Sequence, residues 1–254
     1  MESLKTILLE LKKNGAIGIK ISFEDEGAQL NEMITMRTLT SSINLEMSIK
    51  IGGCEAKRDI NDCIILCADS IVAPMVESSF ALNKFKECIK QVNYNGKIGF
   101  NLETINSYTN LDNLIKNLDD IDFVTFGRVD FVSSLNQSRN IIDSDIILQY
   151  VTDAFNKIKT MNKLCYLGGG INVNSINFIG NLINSKLLDK FETRYIIFNV
   201  EDIINIEQSL YLANLFEVEW LKYISERYNT YAFKDLKRIQ MIEDRLDNYK
   251  KIKQ

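Results

Sequence analysis

Along the chain, short apolar runs alternate with longer stretches in which apolar residues recur every three or four positions. Ile17 to Phe23 (IGIKISF) is β-branched and aromatic, and an acidic turn leads from it into Leu30, Met33, Ile34 and Leu39 at helical spacing. This pattern predicts a strand, a loop and a helix. The unit recurs as Met47 to Ile51 before a helical Ala56 to Cys67, Ser70 to Met75 before Phe80 to Val92, and Lys97 to Leu102 before Ile105 to Leu118. It continues with Phe123 to Phe126, a longer polar loop and Ile146 to Ile158, then Leu164 to Leu167 with a helix from Ser175, then Tyr195 to Val200 with a last helix. Units at steps of roughly 25 to 35 residues, with strands apolar on both faces, predict a parallel sheet wrapped by helices.

For 254 residues the natural closure of such a sheet is a (β/α)8 TIM barrel. An eighth strand is not evident. It is expected in Met1 to Gly15, whose spacing is more helical, or in the irregular Ser225 to Phe233, unless the barrel is incomplete or modified. A doubly wound open sheet is the alternative, but no GxGxxG follows the first strand to mark a dinucleotide site. The single proline, Pro74, ends a strand, and no Ser/Gly/Pro-rich tract divides the chain. The expected organisation is a barrel domain over residues 1–224 and a C-terminal helical extension over 225–254. Between Asp235 and Gln254, Leu236, Ile239, Ile242, Leu246, Tyr249 and Ile252 form an apolar stripe at steps of three and four.

Composition narrows the chemistry. Lys and Arg total 30 against 34 Asp and Glu, a net charge of -4, and no basic cluster interleaves with aromatics, so nucleic acid is not an expected partner. No apolar run reaches the roughly 18 residues that span a bilayer, and Met1 to Asn14 carries acids without a cleavage pattern, so a membrane is not expected either. Five scattered cysteines fit a reducing, cytoplasmic setting better than a disulfide framework. The chain has no histidine, which excludes Ser-His-Asp and Cys-His catalysis and histidine-ligated zinc. Acid–base work falls to carboxylates, Lys, Tyr, Cys or metal-bound water.

In a parallel barrel the active site gathers at the carboxyl ends of the strands. Those ends read FEDEG (Phe23 to Gly27), KIGG (Lys50 to Gly53), PMVES (Pro74 to Ser78), NLET (Asn101 to Thr104), GRVD (Gly127 to Asp130) and GGG (Gly168 to Gly170). Glu24, Asp25, Glu26, Glu77, Glu103 and Asp130 would repel one another at one mouth unless a cation or a proton lies among them, and oxygen ligands favour Mg²⁺ or Mn²⁺ over zinc. Lys50 and Arg128 are the strand-end cations. The acids after the first strand have an alternative reading, as caps of the helix that follows them.

The runs KIGGCEAKRDI, IVAPMVES, IGFNLET and FGRVDF resemble the HpcH/HpaI aldolase and citrate lyase family, in order and spacing from about Ile17 to Val200. The resemblance implies a (β/α)8 barrel that makes or cleaves carbon–carbon bonds next to a carbonyl. It also implies that Glu103 and Asp130 bind a divalent metal, which holds a keto-acid enolate. Lys50 stands where the family usually has the arginine that stabilises the enolate oxygen, and Lys supplies charge without the bidentate fork. Glu24-Asp25-Glu26 stands where the aldolase branch has a Glu followed by a His. Arg128 replaces the proline of a Gly-Pro-x-Asp motif. Family members are oligomers that exchange C-terminal helices.

The expected activity is therefore a Mg²⁺- or Mn²⁺-dependent carbon–carbon lyase or aldolase acting on a small carboxylate. Lys50, Glu24, Asp25 and Glu77 are the catalytic candidates, with Glu77 orienting Lys50. Arg128, Gly52, Gly53, Gly168, Gly169 and Gly170 are the candidates for substrate binding, and the C-terminal helix for assembly into a homo-oligomer. The alternatives are a transferase using phosphoenolpyruvate or an acyl thioester, favoured by Arg128 and the glycine turn, and a non-catalytic barrel that keeps only the fold.

Overall fold

Alternation along each strand sorts its side chains between two cores. In β1 (Ala16–Ser22), Ile19 and Ile21 pack under helices while Lys20 lines a cavity inside the sheet. In β4 (Lys97–Leu102), Ile98, Phe100 and Leu102 join the outer core and Asn101 faces inward. The same division holds in β2 (Glu46–Lys50) and β5 (Phe123–Gly127), where Lys50, Thr125 and Gly127 face the cavity. The structure, a computed structural model, describes residues 1–252, with side chains except those of Tyr231 and residues 245–252.

With β3 (Ser70–Ala73), β6 (Leu164–Gly168), β7 (Lys190–Glu192) and β8 (Ile196–Asn199), the strands close into one eight-stranded barrel in chain order. Around it lie α1 (Glu2–Lys13), α2 (Leu30–Ile43), α3 (Lys57–Ile65), α4 (Ser79–Gln91), α5 (Ile105–Thr109), α6 (Leu111–Ile115), α7 (Arg128–Ser134), α8 (Asp145–Lys159), α9 (Ile176–Asn184) and α10 (Ile206–Ile252). The large core is the shell between barrel and helices. Inside the barrel, Val72, Phe123 and Tyr166 form a separate apolar plug, with the Phe123 and Tyr166 rings stacked 4.4 Å apart.

The eighth strand lies in neither place the pattern offered. Met1 to Gly15 holds α1, and Ser225 to Phe233 lies inside α10. The run at Tyr195 to Val200 is β8, and the strand the pattern lacks is β7, three residues just before it. Strands β1 to β7 run parallel, whereas β8 is antiparallel to both β7 and β1. A parallel crossover needs a dozen or more residues, and only Thr193 to Tyr195 separate these strands, so the chain must turn back as a hairpin.

That reversal redirects the end of the chain. It brings the β7–β8 turn to the mouth and returns the chain to the opposite end of the barrel, where Asn199 N–H donates to the Gly15 carbonyl. Helix α10 then climbs from that end along α1 and brings Asn214 and Glu217 to the mouth. Leu210, Phe216 and Trp220 on α10 and Leu4 and Leu8 on α1 are fully buried, each contributing about 1.5 to 3 kcal/mol. Past Ile224 the helix continues unbroken while its burial ends: Phe233 is 58% and Leu236 63% exposed, with Ile239 and Ile242 exposed beside them. The side chains of Leu246, Tyr249 and Ile252, which continue the stripe in sequence, lie outside the described residues. Among the described residues no helix is long and apolar enough to cross a membrane.

Candidate active site

The strand carboxyl ends surround a cavity of about 350 Å³. Glu103 sits in its wall, 1% exposed, with Oε1 accepting the Met75 N–H at 2.8 Å and Oε2 accepting the Asn101 amide at 2.9 Å. Both contacts follow from local sequence. Asn101, on β4, is two residues back from Glu103, which directly follows the strand, and both face the cavity; Met75, just after Pro74, takes a left-handed φ of 48°. Gly127 completes the fit, because a Cβ there would lie 2.8 Å from the Glu103 carboxylate. Asp130 stands in the first turn of α7 and lines the same cavity.

Lys50 is 7% exposed, with its Nζ 2.7 Å from Glu24 Oε2. Burial alone would lower its pKa, but the carboxylates of Glu103, Glu24 and Asp25 reverse the effect and hold it above the ordinary lysine value. It stays an ammonium at neutral pH. Burial raises Glu103, with Lys50 opposing; it also raises Asp130, where Lys50 opposes and Asp25 and Glu24 add to the rise. The acidic turn is shaped by Ser22, whose Oγ accepts the N–H groups of Glu24 and Asp25 at 3.0 and 2.9 Å. None of its three acids caps α2: the capping box there is Gln29 with Glu32. Asp25 and Glu26 face the cavity instead, and Arg194 of the β7–β8 turn approaches both.

Four expectations fall outside the cavity. Glu24 is not part of its lining and reaches it only through its ion pair with Lys50. Glu77 does not orient Lys50; it accepts from the Thr104 hydroxyl at 2.6 Å and from the Asn106 amide, holding the start of α5. Gly52 and Gly53 do not line the cavity, and the Gly52 N–H is taken by Asp59 of α3. Arg128 is fully buried and turned outward, pairing with Asp143 at 2.5 Å, donating to the Gly168 and Ile142 carbonyls and the Ser175 hydroxyl, and stacking on Phe178. Four of its five N–H donors are taken in this way, and the side chain does not line the cavity, so it is not placed to meet a substrate there. Since removal of one partner of a buried pair typically costs about 3 to 5 kcal/mol, and Asp143 keeps some water, Arg128→Met is expected to destabilise by roughly 3 kcal/mol. A urea midpoint equal to that of the unaltered protein would refute this structural role.

Gly168, Gly169 and Gly170 do line the cavity. Gly169 has φ 79°, and a Cβ on it would meet the Arg128 and Val129 backbone nitrogens at 2.5 and 2.6 Å. The turn is therefore packed directly against the start of α7.

Sequence reading missed several groups. Lys20 pairs with Glu192 at 3.0 Å inside the barrel, and a lone charge in the middle of IGIKISF was the available signal. Asn101 Oδ1 and Thr125 Oγ1, on residues paired in register on adjacent strands, are buried without a hydrogen-bond partner among the described residues. Among the cavity's four cations, Lys20, Lys50 and Arg194 form ion pairs, whereas Arg139 forms none among the described residues. Nothing local in the sequence marks Arg139, Arg194, Asn214 or Glu217 as neighbours.

The donor set suits a hard divalent cation. Among the described residues no group of three or more acids or cysteines is poised around a metal; Glu103 and Asp130 are two carboxylates that line the same cavity. Mg²⁺ is commonly held in this way, by one or two carboxylates with water and substrate oxygens completing the octahedron. The unpartnered oxygens of Asn101 and Thr125 are acceptors for such waters.

No family model matches the sequence, and no curated protein does. Among solved structures the chain is similar to citrate synthase SbnG, at 12% identity over 88% of this chain and 90% of that one, with a TM-score of 0.61. It is similar to an HpcH/HpaI aldolase from Desulfitobacterium hafniense DCB-2, at 9% identity over 76% and 82% of the two chains, TM-score 0.61. It is also similar to RipC from Yersinia pestis, at 13% identity over 78% and 87%, TM-score 0.53. At these identities what is shared is the fold.

Proposed function

We propose that this chain is a divalent-metal-dependent carbon–carbon lyase or aldolase acting through the enolate of a pyruvate-like keto acid, in the manner of the HpcH/HpaI aldolases and citrate lyases. The observation that carries this reading is the meeting of Glu103, Asp130 and a buried, protonated Lys50 at one cavity. Glu103 and Asp130 would hold Mg²⁺ or Mn²⁺, which supplies Lewis acidity to a keto oxygen. Lys50 offers positive charge to the oxygen that becomes anionic, in a wall where the field is little screened. Arg139, without an ion pair among the described residues, is available to a substrate carboxylate at the rim.

The transferase alternative loses one of its two supports, because Arg128 is spent on Asp143 and backbone carbonyls. Exchange of pyruvate methyl protons in deuterated buffer, followed by proton NMR with Mg²⁺ and the full chain, tests the reading. Loss of the methyl signal well above the buffer rate, suppressed by a chelator, is expected. Metal binding without exchange into pyruvate or oxaloacetate would favour the transferase, and absence of both would favour a non-catalytic barrel.

The tail belongs to the same proposal. We infer that the exposed stripe of α10 is covered by a second copy of the chain, because soluble monomers rarely expose a contiguous apolar patch of this kind. Beyond Tyr228, whose hydroxyl reaches Glu32 of α2, the helix runs on to residue 244 for about 24 Å at 1.5 Å per residue. Deleting residues 235–254 should lower the mass found by light scattering. An unchanged oligomer, or a full-length monomer at micromolar concentration, would overturn the exchange. The five cysteines, all unbridged, support a cytoplasmic setting for this enzyme.

A further inference from the structure

We propose that Glu26 is the residue that takes and returns the substrate proton at this mouth, in a chain that has no histidine for the task. The inference rests on the enolate reading above. Glu26 lines the cavity with its side chain only 8% exposed; one oxygen lies 3.5 Å from Arg194 Nε, and Oε2 is buried with no hydrogen-bond partner among the described residues. A carboxylate oxygen shielded from water and left unpartnered is a basic atom waiting for a proton.

Several of the other candidates are committed. Lys50 is held as an ammonium, Glu24 pairs with it, and Glu192 pairs with Lys20. Asp25 is 55% exposed and so lacks the shielded oxygen that Glu26 has, and the Tyr195 hydroxyl is pushed up to about 12 by burial. Burial raises Glu26 to about 7, with Asp25 of its own loop adding to the rise and Lys20 of β1, Arg194 and Lys50 of β2 opposing it. Tyr195, Glu217 of α10 and Glu32 of α2 line the adjoining cleft, and Glu32 is tied to Tyr228. Both forms of Glu26 are therefore populated near neutrality, as one residue needs when it acts as base in one direction and acid in the other.

The step balances. Ionised Glu26 removes a proton from the carbon next to the keto group, and the C–H electron pair becomes the carbon–carbon double bond of the enolate. The carbonyl π pair moves to oxygen opposite the Lys50 ammonium, and Glu26 is left as a neutral acid. In the reverse direction that acid returns the proton to carbon. Proton removal should rise with pH through the Glu26 ionisation, because it needs the carboxylate, and proton return should fall over the same range.

The test measures pyruvate methyl exchange with Mg²⁺ from pH 5 to 9 in the full chain and in Glu26→Gln and Glu26→Asp, with metal affinity by calorimetry and thermal melting alongside. For the unaltered chain, exchange rising with an inflection near pH 7 is expected. Glu26→Gln should lose on the order of 100-fold and the inflection with it, while keeping metal affinity and fold, and Glu26→Asp should recover part of the rate. Glu26→Gln exchanging at the unaltered rate with the same pH profile would overturn this role and leave the enolate reading standing. No exchange by the unaltered chain would overturn the enolate reading and, with it, this one.

Discussion

Glu103→Gln and Asp130→Asn are each expected to abolish divalent-metal binding in calorimetry while leaving the far-ultraviolet circular dichroism unchanged. Each variant removes one of two charged ligands. Since even groups that only orient a ligand typically cost about 10- to 100-fold in affinity, losing a charged ligand should exceed about 100-fold. The fold should tolerate both changes. At Glu103 the introduced carbonyl can still accept the Met75 N–H, and the introduced amide can donate to Asn101, whose Oδ1 at present has no partner and can turn toward it. Asp130 stands in the first turn of α7 with part of its surface open to solvent and part turned to the cavity, where Asn is of the same size. Unaltered metal affinity in both variants would sink the assignment.

Lys50→Met is expected to lower turnover on the order of a hundredfold or more, from the roughly 2.7 to 4 kcal/mol that such charge-stabilising groups supply to a transition state. Metal affinity should not fall with it, because removing a cation beside Glu103 and Asp130 leaves their charge less compensated. That split separates a group acting on the substrate from one that merely shapes the metal site. Lys50→Arg keeps the charge and should retain part of the activity, although the bulkier fork must displace Glu24 from its 2.7 Å contact. Full turnover in Lys50→Met would return Lys50 to a structural role.

Arg128 shows how far strand-end reading goes. The alternation that turns Thr125 and Gly127 inward turns the next residue outward, so GRVD places Gly127 in the cavity wall and Arg128 under α9. The same rule, applied along NLET, puts Asn101 and Glu103 on one face. Glu77 and Gly52 stand beyond the ends of β3 and β2, in loops where the strand's period no longer governs direction, and each is claimed by a neighbouring helix or its cap.

What the sequence determined by itself is the set of elements whose signal is local. Strands β1 to β6 and most of the helices around them show their period over enough residues to be read, and Lys50, Glu103, Asp130 and the Gly168–Gly170 turn follow from where those strands end. Only the tertiary structure decided β7, which at three residues is too short to display a period, and the reversed direction of β8, which follows from the shortness of the Thr193 to Tyr195 turn. That reversal sends α10 up to the mouth and sets Arg194 beside Glu26. The distance between Glu26 and Arg194 along the chain hides a contact that barrel closure creates, and the burial that shifts Glu26 is a property of the closed mouth.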